Sequence, residues 1–399
     1  MPRDTRDRIR TTLHALEAHL AGWGLRQFTS DEAYFQWQRE TLSPAELTAL
    51  HRQVEQKRRG SSVDEVEFYD ATAHPHILPV LYSQRYDYYL AIGPRVADRI
   101  GEAKSILDVG CGVGILTTFY ARQYPDKTFV GIDRSPASIA RAQEQAKALG
   151  LSNVRFECLD LDQTAPIRSY DLILATHALV QAEQDPGIPS RSWNTFERAN
   201  ESQQQADFEW RTGIGARLDR LSALLSAEGR MIVFEKTRQL ARRVPLQRAL
   251  AVRDLGLIEQ PELIRYLLVE EIADDGPLYL LGRGEACKLH WDESPEPDEG
   301  RPFDRTKLNT GSTDPEPLYE NHWPSAQRAW EQLHDKHLLK ETTRQEPDGR
   351  QLHVELGQAE EGVYLYCANT LDQRQLVLVK SARRVMLESY YQEIASGAP

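Results

Sequence analysis

The chain has 399 residues, 40% hydrophobic and 27% charged, a length and balance suited to two or three domains with sizeable cores. Its net charge of −12 argues against nucleic acid as a partner, because a phosphate binder needs a concentrated basic surface. Four scattered cysteines (Cys111, Cys158, Cys287, Cys367) with no C-x-x-C pair exclude a disulfide framework or zinc module by spacing. No apolar run reaches the roughly 18–20 residues of a membrane span. No signal-peptide pattern follows Met1-Pro2-Arg3, so a cytoplasmic location is expected.

Residues 1–24 read as a helix, with Ile9, Leu13, Leu16 and Leu20 at helical spacing and Gly22 and Gly24 as stops. Residues 30–59 read as one or two more helices, and Gly60-Ser61-Ser62 as a break. An aromatic stretch follows, in which Pro75 and Pro79 bracket an extended piece and a helix runs from about Ser83 to Ile100. From Lys104 strands and helices alternate, the pattern of an α/β, Rossmann-like parallel sheet. The expected strands are Ser105–Val109, Thr128–Ile132, Val154–Cys158, Tyr170–Ala175 and Arg230–Glu235. Helices are expected over Val113–Gln123, Pro136–Leu149, Gln205–Leu225 and Leu246–Leu255. Leu263–Glu271 and Pro277–Leu281 read as a closing pair joined by a turn at Asp274-Asp275-Gly276. The connection 178–204 is long for a compact domain and reads as functional or disordered.

Residues 291–317 have linker chemistry. Beyond them a helix over Pro324–Leu339, strands at Gln351–Leu356, Val363–Ala368 and Gln375–Val379, and a terminal helix over Ser381–Ile394 make a small α+β module. The expected organisation is therefore a helical extension (1–100), a core (101–285), a linker (286–320) and a C-terminal module (321–399). The basic clusters Lys57-Arg58-Arg59, Arg242-Arg243 and Arg383-Arg384 are short and flanked by acids, which suits exposed helix faces.

The chemistry concentrates in Asp108-Val109-Gly110-Cys111-Gly112-Val113-Gly114. A glycine-rich turn leaving a first parallel strand brings backbone close to a ligand. Dinucleotide folds space these glycines as G-x-G-x-x-G. Here they fall at 110, 112 and 114, with Ile at 115. The acid two residues before the first glycine would repel a pyrophosphate and suit a cationic amino-acid end.

Ile106-Leu107-Asp108-Val109-Gly110-Cys111-Gly112-Val113-Gly114 resembles the first motif of the class I S-adenosylmethionine-dependent methyltransferases. The likeness covers roughly residues 104–282, with further motifs in order at Phe129–Asp133, Phe156–Leu161, Tyr170–Ala175 and Leu224–Arg230. The resemblance implies S-adenosylmethionine as cofactor. It gives the methionine end to Asp108 and the loop (Gly110, Cys111, Gly112, Gly114) and the ribose hydroxyls to Asp133. Arg134, Asp160 and Leu161 would go with the adenine, and Ala175 closes the fourth-strand motif. The segment before the first strand would fold over cofactor and acceptor.

His177, just after the fourth strand, is the candidate general base, or else a polar residue shaping the pocket. Tyr82, Tyr86, Trp193 and Glu235 are candidates for contacting the acceptor. The competing readings are packing for the aromatics and, for Glu235, a surface pair with Lys236 or Arg238. No metal-ligand spacing is present. A methyltransferase acting on a small molecule or peptide is expected, O-methylation slightly ahead of N- or C-methylation. A protein methyltransferase recruiting through the C-terminal module and a non-catalytic cofactor-binding scaffold stay open. The N-terminal helices could exchange between protomers of a homodimer.

Overall fold

The computed structural model describes residues 3–59, 62–164, 168–180, 185–199, 202–284, 287, 289–295, 297–308, 316–347 and 349–396. Gly60-Ser61, where a break was expected, lies outside the described residues, as do 181–184 and 200–201 of the long connection and 286, 288, 296 and 309–315 of the expected linker.

The chain forms two compact units. One comprises Met1–Asp185, Glu209–Arg238 and Gln247–Trp291; the other comprises Pro186–Phe208, Gln239–Leu246 and Asp292–Pro399. This differs from the four consecutive segments expected from composition. The N-terminal helices belong with the sheet, and much of the long connection belongs with the C-terminal unit.

The chain opens with α1 (Arg3–Gly22), α2 (Asp31–Thr41), α3 (Pro44–Arg59), α4 (Ser62–Thr72), α5 (Leu78–Ser83) and α6 (Tyr86–Ile100). Then come β1 (Ser105–Val109), α7 (Ile115–Gln123), β2 (Thr128–Asp133), α8 (Pro136–Ala148), β3 (Val154–Cys158) and β4 (Tyr170–Thr176). After α9 (Ser202–Thr212) and α10 (Ile214–Leu224) follow β5 (Leu225–Phe234), α11 (Leu240–Ala251), β6 (Gly256–Leu257), β7 (Glu262–Leu268) and β8 (Glu271–Gly282).

The first unit's sheet runs β3-β2-β1-β4-β5-β8-β6, with β7 also on β8. Strands β1 to β5 are parallel and β8 is antiparallel to β5. This is a Rossmann-like, doubly wound α/β fold. The chain order reverses between β1 and β4, and such a switch point opens a crevice at the carboxyl ends of the strands. The central strands are mostly apolar because helices cover both faces. Leu16 and Leu20 of α1 and Tyr88, Ile92 and Val96 of α6 share one core with Ile106, Phe119, Phe129, Leu172 and Phe234.

Four local expectations are corrected. The piece around Pro75–Pro79 is helical at its end, since Pro79 falls in the first turn of α5, where a missing N–H costs nothing. The helix over 205–225 is two helices, because Gly213 adopts a left-handed conformation (φ 69°) and starts α10 anew. The β7–β8 turn is at Val269-Glu270, with Leu268 opposite Glu271 and Glu270 at φ 69°. Asp274-Asp275-Gly276 lies inside β8: Asp274 faces Arg265, Gly276 faces Ile264, and Asp275 is the extra residue of a bulge. The helix expected over Pro324–Leu339 stops at Glu331; Asp335 is left-handed (φ 47°), and a strand begins at His337.

The second unit holds β9 (Tyr319–Asn321), α12 (Ala326–Glu331), β10 (His337–Gln345), β11 (Gln351–Ala359), β12 (Gly362–Asn369), β13 (Arg374–Val379) and α13 (Arg384–Ser396). Its antiparallel sheet runs β10-β11-β12-β13-β9. Strand alternation divides its core in two. Val354, Leu356, Leu365 and Val377 pack with Leu387 and Tyr391 of α13, while Tyr364, Tyr366, Leu376 and Leu378 pack with Ala326 and Ala329 of α12.

Candidate active site

The turn leaving β1 carries three left-handed glycines, Gly110 (φ 67°), Gly112 (φ 55°) and Gly114 (φ 79°). A Cβ on Gly110 would lie 2.8 Å from Ala178 Cβ, and one on Gly114 would lie 2.9 Å from Ala142 Cβ and the Phe156 ring; at Gly112 it would meet nothing within 4 Å. Gly110 and Gly114 are therefore demanded by packing, whereas Gly112 bares backbone to open space.

Two carboxylates flank the turn. Asp108, the last residue but one of β1, is buried, accepts from the Thr117 hydroxyl at 2.5 Å, and has its pKa pushed up to about 7 by burial, with Thr117 opposing and Asp133 adding. Asp133 ends β2 and is shifted upward chiefly by burial. It accepts the Gly112 N–H at 2.9 Å on Oδ2 and the Ser135 N–H at 2.8 Å on Oδ1, which leaves each oxygen a further lone pair.

These groups line a cleft of about 710 Å³ in the first unit. Its floor is the segments Asp108–Val113, Ile132–Ser135, Leu159–Asp162 and Thr176–Ala178. The N-terminal helices add Glu65, Tyr69, Tyr82, Arg85, Tyr88 and Tyr89, and the β7–β8 hairpin adds Tyr266 and Leu268. Of the residues singled out from the sequence, the cleft collects Asp108, Gly110, Cys111, Gly112, Asp133, Arg134, Asp160, Leu161, His177 and Tyr82. Arg134 is held by Glu65 at 2.6 Å. Asp160 closes a local turn by accepting the Asp162 N–H at 2.9 Å.

Five others lie off its lining. Gly114 packs beneath the turn, and Ala175 is buried within β4. Tyr86 packs half-buried against the first unit's core. Trp193 belongs to the second unit, where it stacks on His353 with ring centres 3.6 Å apart. Glu235 is no surface carboxylate: it is fully buried and accepts the N–H groups of Ala178, Leu179 and Val180 at 2.8, 2.9 and 3.2 Å. Burial pushes its pKa up to about 7 against those hydrogen bonds. Its work is to fix the backbone of the turn after β4.

His177 occupies that turn in a left-handed conformation (φ 55°), a conformation that non-glycine residues adopt mainly where the surroundings enforce it. Its ring is stacked on Tyr88 at 5.2 Å. Arg85 donates to Nδ1 at 2.7 Å, and Nε2 lies 3.0 Å from Asp275 Oδ2. Burial lowers its pKa to about 4, although Asp275 pulls the other way. The ring is therefore neutral, accepting at Nδ1 and carrying its proton on Nε2 beside Asp275. Its one lone pair, at Nδ1, is taken up by Arg85, which leaves none free to serve as a general base.

Sequence reasoning missed Arg85, Asp275, Tyr266, Glu65 and Asp70. Tyr266 donates to Asp275. Asp70 accepts from the Ser135 hydroxyl at 2.6 Å and from the Ala137 N–H at 3.1 Å, tying α4 to the start of α8. Arg85 carried a signal, as a cation inside the aromatic stretch 82–89; the others carried none. No group of residues able to hold a metal occurs among the described residues.

Fold and site together define a Rossmann-like domain with a glycine turn and successive acids at the ends of β1 and β2 and just after β3. Residues 100–234 match the family described as a methyltransferase domain, and this domain belongs to the class I S-adenosylmethionine-dependent methyltransferases. The chain is similar to a malonyl-[acyl-carrier protein] O-methyltransferase of Acetivibrio thermocellus, 33% identical over 101 residues (23% of this chain, 35% of that protein). It is also similar to a trans-aconitate 2-methyltransferase of Deinococcus radiodurans, 34% identical over 88 residues (22% of this chain, 32% of that protein). The similarity spans only about a third of these relatives' length. A solved magnesium protoporphyrin IX methyltransferase from Synechocystis PCC 6803 aligns at 16% identity and TM-score 0.35, over 50% of this chain and 84% of that one. Among the described residues no helix is long and apolar enough to cross a membrane.

Proposed function

We propose that the chain is an S-adenosylmethionine-dependent methyltransferase whose acceptor is a small molecule or peptide, with O-methylation favoured. One observation carries this reading: a single cleft is lined at once by Asp108, Asp133, Asp160 and the bare backbone at Gly112. The cradle where a Cβ at Gly112 would project fits close approach of a ligand. The acids suit a molecule with a cationic amino group at one end and hydroxyls along its length. The O-methyltransferase among the relatives supports the choice of atom.

When bound, this cofactor supplies an electrophilic methyl group on sulfonium for in-line displacement. Asp108, reluctant to ionise alone, gains most from an ammonium partner, which would draw its pKa back down. Asp133, held by two backbone N–H groups, is set to accept from vicinal hydroxyls. Tyr82 and Tyr88 line the same cleft. His177, neutral and with its lone pair taken up by Arg85, shapes the site without taking a proton. The chain's catalytic contribution is then chiefly proximity and orientation, which can lower a barrier by about 7–11 kcal/mol.

Calorimetry with S-adenosylhomocysteine tests the reading. The wild-type protein is expected to bind it, and Asp133→Ala to weaken binding by about tenfold or more, the scale of lost hydrogen bonds to a charged group. Absence of binding to the wild-type protein would overturn the proposal. Methyl transfer from labelled cofactor to paired hydroxyl and amine acceptors decides the atom.

A further inference from the structure

The cleft holds a cation that the cofactor-binding acids do not use. Arg85, between α5 and α6, lines the cleft. Its guanidinium lies over the Tyr88 ring at 4.4 Å and donates to His177 Nδ1 at 2.7 Å. Among the described residues no carboxylate pairs with it. Asp275 is engaged by His177 Nε2 and by Tyr266. Arginine does not shed its proton, and a half-buried cation without a counter-ion gains from meeting one. Its planar fork has five donors, and one meets a protein acceptor.

The group is also placed away from the ribose acid. Asp133 and Asp160 belong to the β2 and β3 side of β1. Arg85 is held by His177 at the end of β4, on the opposite side of β1, and His177 is held in turn from the bulge of β8. A guanidinium fork matches a carboxylate in bidentate geometry. The rings of Tyr82, Tyr88, Tyr89 and Tyr266 lie near it in the same cleft, which suits an apolar or aromatic body.

We propose that Arg85 is the receptor for a carboxylate carried by the methyl acceptor, and that the chain of Asp275 and His177 positions it. The acceptor class is thus an organic acid with an apolar or aromatic body. This inference rests on the methyltransferase reading of the same cleft.

The test uses the full chain saturated with S-adenosylhomocysteine, with acetate as the probe and uncharged acetamide as its control. The Arg85 side-chain Nε–H resonance, assigned by its loss in Arg85→Gln, is expected to shift saturably with acetate and not with acetamide. Arg85→Gln is expected to leave affinity for S-adenosylhomocysteine within about threefold of wild type, well short of the tenfold that 1.4 kcal/mol represents. Absence of an acetate-dependent shift in the loaded protein overturns the proposal. So does a tenfold or greater loss of S-adenosylhomocysteine affinity in Arg85→Gln with binding of 5′-methylthioadenosine intact, because that result gives Arg85 to the cofactor's own carboxylate. Arg85→Lys, which keeps a donor toward His177, controls for folding by its thermal midpoint. Failure of the wild-type chain to bind S-adenosylhomocysteine is a different result, and strikes the methyltransferase reading itself.

Discussion

Four buried ionisable groups pull the stability of the first unit in opposite directions with pH. Glu235 and Asp108 keep their protons up to about pH 7 in the folded state, against ordinary values of 4.5 and 3.8. The folded chain therefore binds more protons than the unfolded one in that window, and the stability these groups lend at low pH is lost as pH rises through 7. His177 and His19 do the reverse. Burial lowers both from 6.5 to about 4, so their stability is fully present above 6.5 and is lost as pH falls toward 4. Between pH 4.5 and 6.5 the two pairs offset each other. Removing one member should unmask a slope of about 1.4 kcal/mol per pH unit relative to wild type. Glu235→Gln is expected to make stability rise with pH by that increment, and His177→Phe to make it fall. Urea midpoints at pH 4.5, 5.5 and 6.5 measure both, and matching slopes in the two variants would refute the assignment. At this scale the sequence located the cleft acids Asp108, Asp133 and Asp160, because each lies at or just beyond the end of a recognisable strand. It singled out Glu235 but not its role, because a glutamate followed by Lys236 has the composition of a surface turn; only the converging N–H groups of 178–180 show that the carboxylate holds backbone.

The β8 bulge is the element that aims Asp275 at His177, and bulges redirect side chains in this way. Its geometry depends on Gly276, whose φ of 132° is unfavourable to side chains and whose Cβ would lie 2.9 Å from Arg238 N. The carbonyl of Asp275 also accepts the N–H groups of Thr237 and Arg238 at 2.7 and 2.8 Å. Gly276→Ala is accordingly expected to cost about 1–3 kcal/mol, read as a lowered chemical-unfolding midpoint. Helix α4 acts from the other side. Asp70→Ala would leave the Ala137 N–H without its acceptor and the Ser135 hydroxyl with Ser138 Oγ alone, at about 1–2 kcal/mol, with weaker S-adenosylhomocysteine binding as the adjoining Asp133 turn loosens. The run β1 to β5 was legible because buried parallel strands read as apolar runs separated by amphipathic helices. The Asp-Asp-Gly run in β8 imitated turn chemistry, and the true turn uses Val269-Glu270, whose side chains do not advertise it. Likewise Pro324–Leu339 had helical spacing, but Asp335 breaks it and the strand beyond carries the β-branched pair Thr342-Thr343.

At the scale of the whole molecule, composition could not show that the C-terminal unit is assembled from three stretches of chain. Asp372 joins them. It accepts from Arg198, whose side chain is completely buried, and from the Ala241 N–H at 3.1 Å. The first partner comes from the long connection after β4 and the second from the start of α11, so both depend on a residue more than a hundred positions later. Gly187 packs here too; a Cβ on it would lie 2.0 Å from the Ala241 carbonyl oxygen. Ending the chain at residue 291 would therefore do more than remove a recruitment module. It would leave Arg198 without its counter-ion, Trp193 without the His353 ring, and the segments 186–208 and 239–246 without their sheet. Breaking a buried ion pair by removing one partner typically costs about 3–5 kcal/mol. Asp372→Ala is expected to lower stability by that amount, measured by chemical unfolding. The truncated chain is expected to aggregate during purification, whereas a separable module would leave a soluble, S-adenosylhomocysteine-binding fragment. Recovery of such a fragment, monodisperse by light scattering, would refute the dependence of those segments on the second unit.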